Sequence, residues 1–306
     1  MSVVVIGSIN VDVVTYSQRM PAPGESMKGD TYGMVLGGKG CNQAAAAARL
    51  GAKTRLVGRI GADSFGAFVR ERLSLLGVDA TFVTTDRDAA TGIAVIPIVA
   101  SGQNSIIVIP GANDTLTGDV LDETALKDAR VLLSQIETPL ETSLKAAALV
   151  RAAGGVYVLD PAPVPAAPIG RDAWQLADIV TPNEVETLAI TGIDPIDLPS
   201  ARAAAERLRA FGVGTAVVKL GGRGVYVLGE QIDAYLPPFK VSVVDTVAAG
   251  DSFNGGLAFA LSEGMPLLQA VHFASACGAL ACTRKGSSDS VPSRAEAEAL
   301  FSTLAA

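Results

Sequence analysis

The stretch VLLSQIETPLETSLKAAALVRAAGGVYVLD, residues 131–160, reads as a strand, a helix and a second strand. Val131 to Gln135 and Val156 to Asp160 are short apolar runs, and near-continuous apolarity marks strands covered on both faces, as in a parallel sheet. Leu140 to Ala153 is an Ala- and Leu-rich stretch entered from Pro139 and closed by Gly154, which are helix start and stop signals. The same alternation extends in both directions. Val3 to Gly7, Arg55 to Gly58, Ile179 to Thr181 and Ala216 to Leu220 read as further buried strands. Asn42 to Leu50, Ser64 to Leu76, Glu184 to Thr191 and Ala201 to Phe211 read as helices. Such alternation predicts a doubly wound α/β fold with a mostly parallel sheet, whose ligands sit at the carboxyl ends of the strands. Two segments break the pattern. Residues 12–36 and 92–109 carry strand-like residues and turns with no crossover helix, so they are expected to form a small antiparallel sheet apart from the main one. Sheets of this kind serve as lids or as dimer surfaces.

Composition narrows the function. The chain has 306 residues, 49% hydrophobic and 18% charged, with no linker-like tract, so residues 1–306 read as a single domain. A net charge of -7 without clustered Lys and Arg argues against a nucleic-acid partner. Cys41, Cys277 and Cys282 make no disulfide framework and no zinc spacing, which suits the reducing cytoplasm. No basic region precedes Val3 to Ile6, so no signal peptide is expected. Gly264 to Thr283 lacks formal charge, yet Pro266, Gln269, His272 and Ser275 interrupt it, and it reads as a buried helix rather than a membrane span. His272 is the only histidine, so multi-imidazole metal sites are excluded and acid–base work falls to carboxylates.

Three segments carry candidate chemistry. DTVAAGDSFNGG, residues 245–256, reads as the end of a strand, a small-residue turn and the start of a helix. Ala248, Ala249 and Gly250 would let backbone N–H groups meet an anion at the positive end of that helix. Asp251, directly after this anion hole, could take a proton from an attacking hydroxyl. The same Asp could equally be a helix N-cap. GGKGCNQ, residues 37–43, leads into a helix but matches neither a Walker P-loop nor a GxGxxG fingerprint. Asn10 and Asp12, two apart and hence on one face past the first strand, suit adjacent hydroxyls of a sugar. Glu137 follows the strand at Val131 to Gln135 and could cap a turn or face a ligand. Lys39 opens a helix, where a solvated side chain is usual, and Cys41 reads as helix packing.

Asn10 with Asp12, Gly37 to Asn42, Thr181 to Glu184, Lys219 to Gly224, Asp245 to Asp251 and Thr283 to Gly286 resemble, in order and across the chain, the motifs of the phosphofructokinase-B family of sugar kinases. The resemblance is nearest to its ribose-phosphorylating members. It implies that Asn10, Asp12, Gly38, Lys39, Asn42 and Glu137 contact a sugar, with Asp251 as the base. It implies that Asn183 and Glu186 lie near the phosphates and magnesium of ATP, and that Lys219, Leu220, Gly221, Gly222, Gly224, Gly250 and Ser275 line the nucleotide. It implies a potassium ion beside Asp245, Val247, Ala281, Arg284, Gly286 and Ser290, and a homodimer joined through the small sheets. Two departures stand out. Ala248 replaces a Gly common in the wider family though not in the ribose kinases, and Ser275 stands where those tend to carry a His beside adenine. The acceptors this implies are ribose first, then 2-deoxyribose, a ketohexose or a nucleoside. A sugar sensor without catalysis would have no use for Asp251.

Overall fold

A computed structural model describes residues 2–165 and 167–303; residues 1, 166 and 304–306, which the single-domain reading includes, lie outside the described residues. In chain order the elements are β1 (Ser2–Ile6), β2 (Asn10–Ser17), β3 (Thr31–Gly37), α1 (Lys39–Arg49), β4 (Lys53–Gly61), α2 (Ser64–Leu75), β5 (Val83–Asp86), β6 (Gly92–Val99) and β7 (Ile107–Ile109). There follow β8 (Ala129–Ser134), α3 (Leu140–Ala152), β9 (Val156–Leu159), α4 (Arg171–Leu176), β10 (Ile179–Val180), α5 (Glu184–Thr191), α6 (Leu198–Phe211) and β11 (Thr215–Lys219). The last are β12 (Val225–Leu228), β13 (Asp233–Leu236), α7 (Ala249–Ser262), α8 (Leu267–Ala281) and α9 (Arg294–Ser302).

The large sheet has nine strands in the order β13-β12-β11-β10-β9-β8-β1-β4-β5. It is parallel from β11 to β5, and only β12 and β13 run antiparallel at its edge. Side chains alternate along each strand. On β1, Val3 and Val5 enter a core with Ala44 and Ala47 of α1, Leu257 of α7 and Phe273 of α8. Val4 and Ile6 enter the opposite core with Ala146 and Val150 of α3 and Leu208 of α6. Burial on both faces is what the continuous apolar runs encode. Among the described residues no helix is long and apolar enough to cross a membrane, and the uncharged Gly264 to Thr283 stretch contains the core helix α8.

The small sheet has the order β3-β2-β6-β7. Its two hairpins are antiparallel, as the turn signals require, and they join through a parallel ladder from Asn10 opposite Gly92 to Ser17 opposite Val99. Asn10 also pairs with Gly37, so both hairpins converge at the carboxyl end of the large sheet. One expectation is corrected here. No strand leads into residues 245–251; β13 ends at Leu236, and the following chain to Ala248 has no regular strand. Pro237 and Pro238 supply no N–H to a ladder, which ends the pairing there.

Candidate active site

The chemistry-bearing residues collect where the carboxyl ends of β1, β8, β9, β10 and β11 meet the first turns of α1 and α7. Close helix approach makes this possible. A Cβ on Gly40 would lie 2.5 Å from the Gly7 carbonyl carbon, and one on Gly255 would lie 2.4 Å from the Ala46 Cβ. These glycines let α1 press on the end of β1 and α7 press on α1.

Asp251 lies in the first turn of α7, but it does not cap that helix. The N-cap is Ala248, at φ 56° and ψ 13°, with no side-chain cap. The Asp251 carboxylate is buried and accepts from Asn42 Nδ2 at 3.1 Å and from Gln43 Nε2 at 3.0 Å. Burial pushes its carboxyl above the usual range and the charge of Asp160 adds to this, while Lys39 and the amides of Gln43 and Asn42 oppose it. One donor of the expected anion hole is corrected here: in the turn before Asp251, the Ala249 N–H closes on the Thr246 carbonyl at 3.3 Å and is not free. Among the described residues the N–H groups of Ala248, Gly250 and Asp251 have no protein acceptor, which leaves three donors at the positive end of a 14-residue helix.

Behind Asp251 runs a buried polar chain whose members, other than Lys219, the motifs did not single out. Gln43 Nε2 also donates to Asp160 Oδ2 at 2.9 Å, and Gln43 Oε1 accepts from Gln135 Nε2 at 2.6 Å. Asp160 Oδ1 pairs with Lys219 Nζ at 3.1 Å. Lys219 Nζ would stand 3.7 Å from a Cβ on Gly250, so the ammonium lies beside the α7 turn. The signal for Gln43 and Asp160 was thin: one sits next to Asn42 in the GGKGCNQ segment, and the other ends a strand where a polar residue is routine.

Asn10, Asp12, Gly38, Lys39, Asn42 and Glu137 form the second wall. Glu137 Oε2 accepts from the Ser8 hydroxyl and from the Lys39 N–H at 3.3 Å, so it does satisfy an open donor at the start of α1. Gly38, at φ 88°, is the N-cap of that helix, a conformation suited to glycine. Lys39 is half-buried rather than solvated. Burial disfavours its charge, but Asp251, Asp160, Glu137 and Glu186 outweigh this and hold the ammonium above the usual lysine range. Asp12 is pushed up to about 6 by burial and by the charges of Glu137 and Asp251. Cys41 is fully buried and its thiol is pushed up by that burial, as a packing residue would be.

On the other flank, Asn183 caps α5 and forms a capping box with Glu186. Glu186 Oε2 accepts the Asn183 N–H at 2.8 Å and Oε1 accepts Asn183 Nδ2 at 2.9 Å. Burial raises the Glu186 carboxyl, and Lys219 opposes this. Leu220 N–H donates to the Gly224 carbonyl across the turn at Gly221 and Gly222, and Lys219 N–H donates to the Pro182 carbonyl, which sets the two segments side by side. Ser275, on α8, donates its hydroxyl to the Val271 carbonyl at 3.0 Å. Asp245 accepts from the Val247 N–H at 3.1 Å and the Gly286 N–H at 3.5 Å, which brings residues 245–247 against the loop after α8. In that loop Arg284 N–H donates to the Ala281 carbonyl at 3.3 Å, and Ser290 is buried with its hydroxyl on the Ser287 carbonyl.

A family profile described as pfkB family carbohydrate kinase matches residues 1–294. The chain belongs to that family. Its kinase relatives include the ribokinase of Haemophilus influenzae, 39% identical over 294 residues that cover 95% of each chain. Among solved structures, the ribokinase of Thermotoga maritima superimposes with a TM-score of 0.89 at 38% identity, covering 98% of this chain and 99% of the other. The Arabidopsis thaliana ribokinase complexed with ribose and ATP superimposes with a TM-score of 0.90 at 32% identity, covering 98% of each. The mostly parallel sheet with a separate small sheet is the fold of these structures, and the kinase is an ATP-dependent sugar phosphotransferase.

Proposed function

We propose that this kinase transfers the γ-phosphoryl group of ATP to the 5-hydroxyl of D-ribose, with Asp251 as general base. The observation that carries the role is the Asp251 carboxylate: buried, free of helix capping, and held on both oxygens by the amides of Asn42 and Gln43. A carboxylate so fixed can accept the hydroxyl proton as the oxygen attacks phosphorus. The N–H groups of Ala248, Gly250 and Asp251 face the charge that grows on the transferred group, and Lys39 and Lys219 flank it. Asn10, Asp12, Gly38, Asn42 and Glu137 hold the sugar. Ribose is supported by the ribokinases of similar sequence and fold. The turn at Leu220, Gly221, Gly222 and Gly224 would follow the nucleotide, and Ser275, whose hydroxyl donor is engaged within its own helix, would meet adenine through its remaining lone pairs.

Magnesium would accompany ATP near Glu186, whose carboxylate keeps lone pairs beyond the two that Asn183 occupies. Potassium would lie where Asp245 gathers residues 245–247 against the loop of Ala281, Arg284, Gly286 and Ser290. One carboxylate with backbone carbonyls is an oxygen donor set that fits a hard monovalent ion, and its charge would steady the anion-hole turn. The small sheet exposes Tyr32, Met34, Ile107 and Ile109 on one face, an apolar surface that supports both a lid and a homodimer interface. The three free cysteines suit a cytoplasmic enzyme. ADP release measured across pentoses, hexoses and nucleosides tests the acceptor, and Asp251→Asn tests the base. Ribose should give the highest kcat/KM, and the variant should lose about two to four orders of magnitude in kcat. A hexose or nucleoside that outperforms ribose would refute the acceptor and leave the family standing.

A further inference from the structure

Asn113 lies in the short turn of residues 111–115 after β7, is 1% exposed, and belongs to none of the motifs above. Its amide is locked to backbone at both ends. Oδ1 accepts the Ile9 N–H at 2.8 Å, while Nδ2 lies 2.9 Å from the Pro110 carbonyl and 3.2 Å from the Ile9 carbonyl. Backbone donors and acceptors cannot exchange roles, so this amide has one orientation. Its Nδ2 is therefore a donor toward Asn10, and the atom of Asn10 that it meets, at 2.8 Å, is Oδ1. That leaves Asn10 Nδ2, which has no protein acceptor among the described residues, as the end presented to the sugar pocket. Space on the Asn113 side is closed. A Cβ on Gly92, the register partner of Asn10, would stand 2.3 Å from both Asn10 Oδ1 and Asn113 Nδ2. The turn is itself anchored to the large sheet, because Thr115 donates to Asp86 Oδ2 at 2.7 Å and Asp86 pairs with Arg59 at 2.9 Å.

We propose that Asn113 is a positioning residue for sugar recognition: it fixes the amide of Asn10 so that Asn10 donates to a sugar hydroxyl while Asp12, two residues on, accepts from its neighbour. This rests on the sugar-kinase reading above. The site thereby reads a pair of adjacent hydroxyls with a direction, one as acceptor and one as donor. A pocket of fixed polarity rejects a sugar that cannot supply the matching group, because the buried amide is then left unpaired.

Asn113→Asp is the discriminating variant. Its carboxylate can still accept the Ile9 N–H but cannot donate to Asn10 Oδ1, so the Asn10 amide turns over and offers an acceptor to the sugar. Sugar affinity is measured by calorimetry without nucleotide, and KM for ribose and ATP by ADP release, in wild-type, Asn113→Asp, Asn10→Ala and the double variant. We expect Asn113→Asp to weaken ribose binding at least tenfold with ATP KM and kcat within about threefold. We also expect less than a twofold further loss when it is added to Asn10→Ala. Equal losses in both backgrounds, or no loss in either, would overturn the proposal. Asn113→Ala, which removes the donor without adding charge, must show the same dependence on Asn10; if it does not, the proposal fails. A wild-type chain that phosphorylates nucleosides and no free sugar would instead refute the acceptor reading, a result seen before any variant is made.

Discussion

Replacing Gln43 with Met isolates the polar chain behind Asp251. The side chain is fully buried, donates to Asp160 and Asp251 at 2.9 and 3.0 Å, and accepts from Gln135 at 2.6 Å. Met has a similar length and adapts its shape, so the cavity contribution is small. Hydrogen bonds to charged groups contribute about 1.5–3 kcal/mol each and a neutral one about 1 kcal/mol. Lys219 still serves Asp160 and Asn42 still serves Asp251, which favours the low end, a loss of about 3–4 kcal/mol. A domain stable by about 5–15 kcal/mol stays folded after that loss. The effect should depend on pH in a definite sense. Burial already holds the Asp251 carboxyl above its usual range, and losing the Gln43 donor raises it further. A carboxyl raised by folding adds stability below its unfolded pKa, and that contribution disappears as pH rises through the folded value. Gln43→Met should therefore lose more stability at pH 8 than at pH 5, and the acid limb of kcat should move to higher pH. Urea unfolding at both pH values and a kcat profile provide the measurements. A loss below about 1 kcal/mol at both pH values with an unmoved acid limb would refute the reasoning, since one well-made bond alone should exceed it.

Asp12, raised to about 6, accepts more strongly from a sugar hydroxyl when ionised, so ribose affinity should fall as pH drops through about 6; calorimetry across that range checks it, and Asp12→Asn should be weak at every pH with the step gone. Gly40→Ala should lower the thermal midpoint by several degrees, corresponding to about 2 kcal/mol or more, because its Cβ would meet backbone of Gly7 at 2.5 Å; wild-type stability would show that α1 can retreat from β1. Exchanging sodium for potassium should raise activity severalfold and depend on Asp245, whereas Asp245→Ala should be insensitive to the exchange; an unchanged response in that variant would remove the ion from beside Val247.

The layers of this protein were written locally. Apolar runs such as Val3 to Ile6 and Val156 to Leu159 demand cover on both faces, and the helices between them carry start and stop signals within a turn of their ends. The glycines of residues 37–40 and the small turn at 248–250 were legible for the same reason, since close backbone approach requires missing side chains wherever it occurs. The small sheet was legible as hairpins but not in its parallel join, because Asn10 to Ser17 and Gly92 to Val99 carry no mark of which edges meet. The strand expected before Asp245 was absent because two prolines outweigh β-branched composition. Whether Asp251 capped its helix or faced a site could not be read from its neighbours, as both uses place an Asp at a helix start. The tertiary structure shows only that Asp251 is not the cap, since Ala248 takes that place and Asn42 and Gln43, more than 200 residues earlier, hold both carboxylate oxygens. Gln43, Asp160 and Asn113 were not singled out. Each is an ordinary polar residue in its own segment, and the hydrogen bonds that join it to partners 59 to 208 positions away exist only once the tertiary structure brings them within reach.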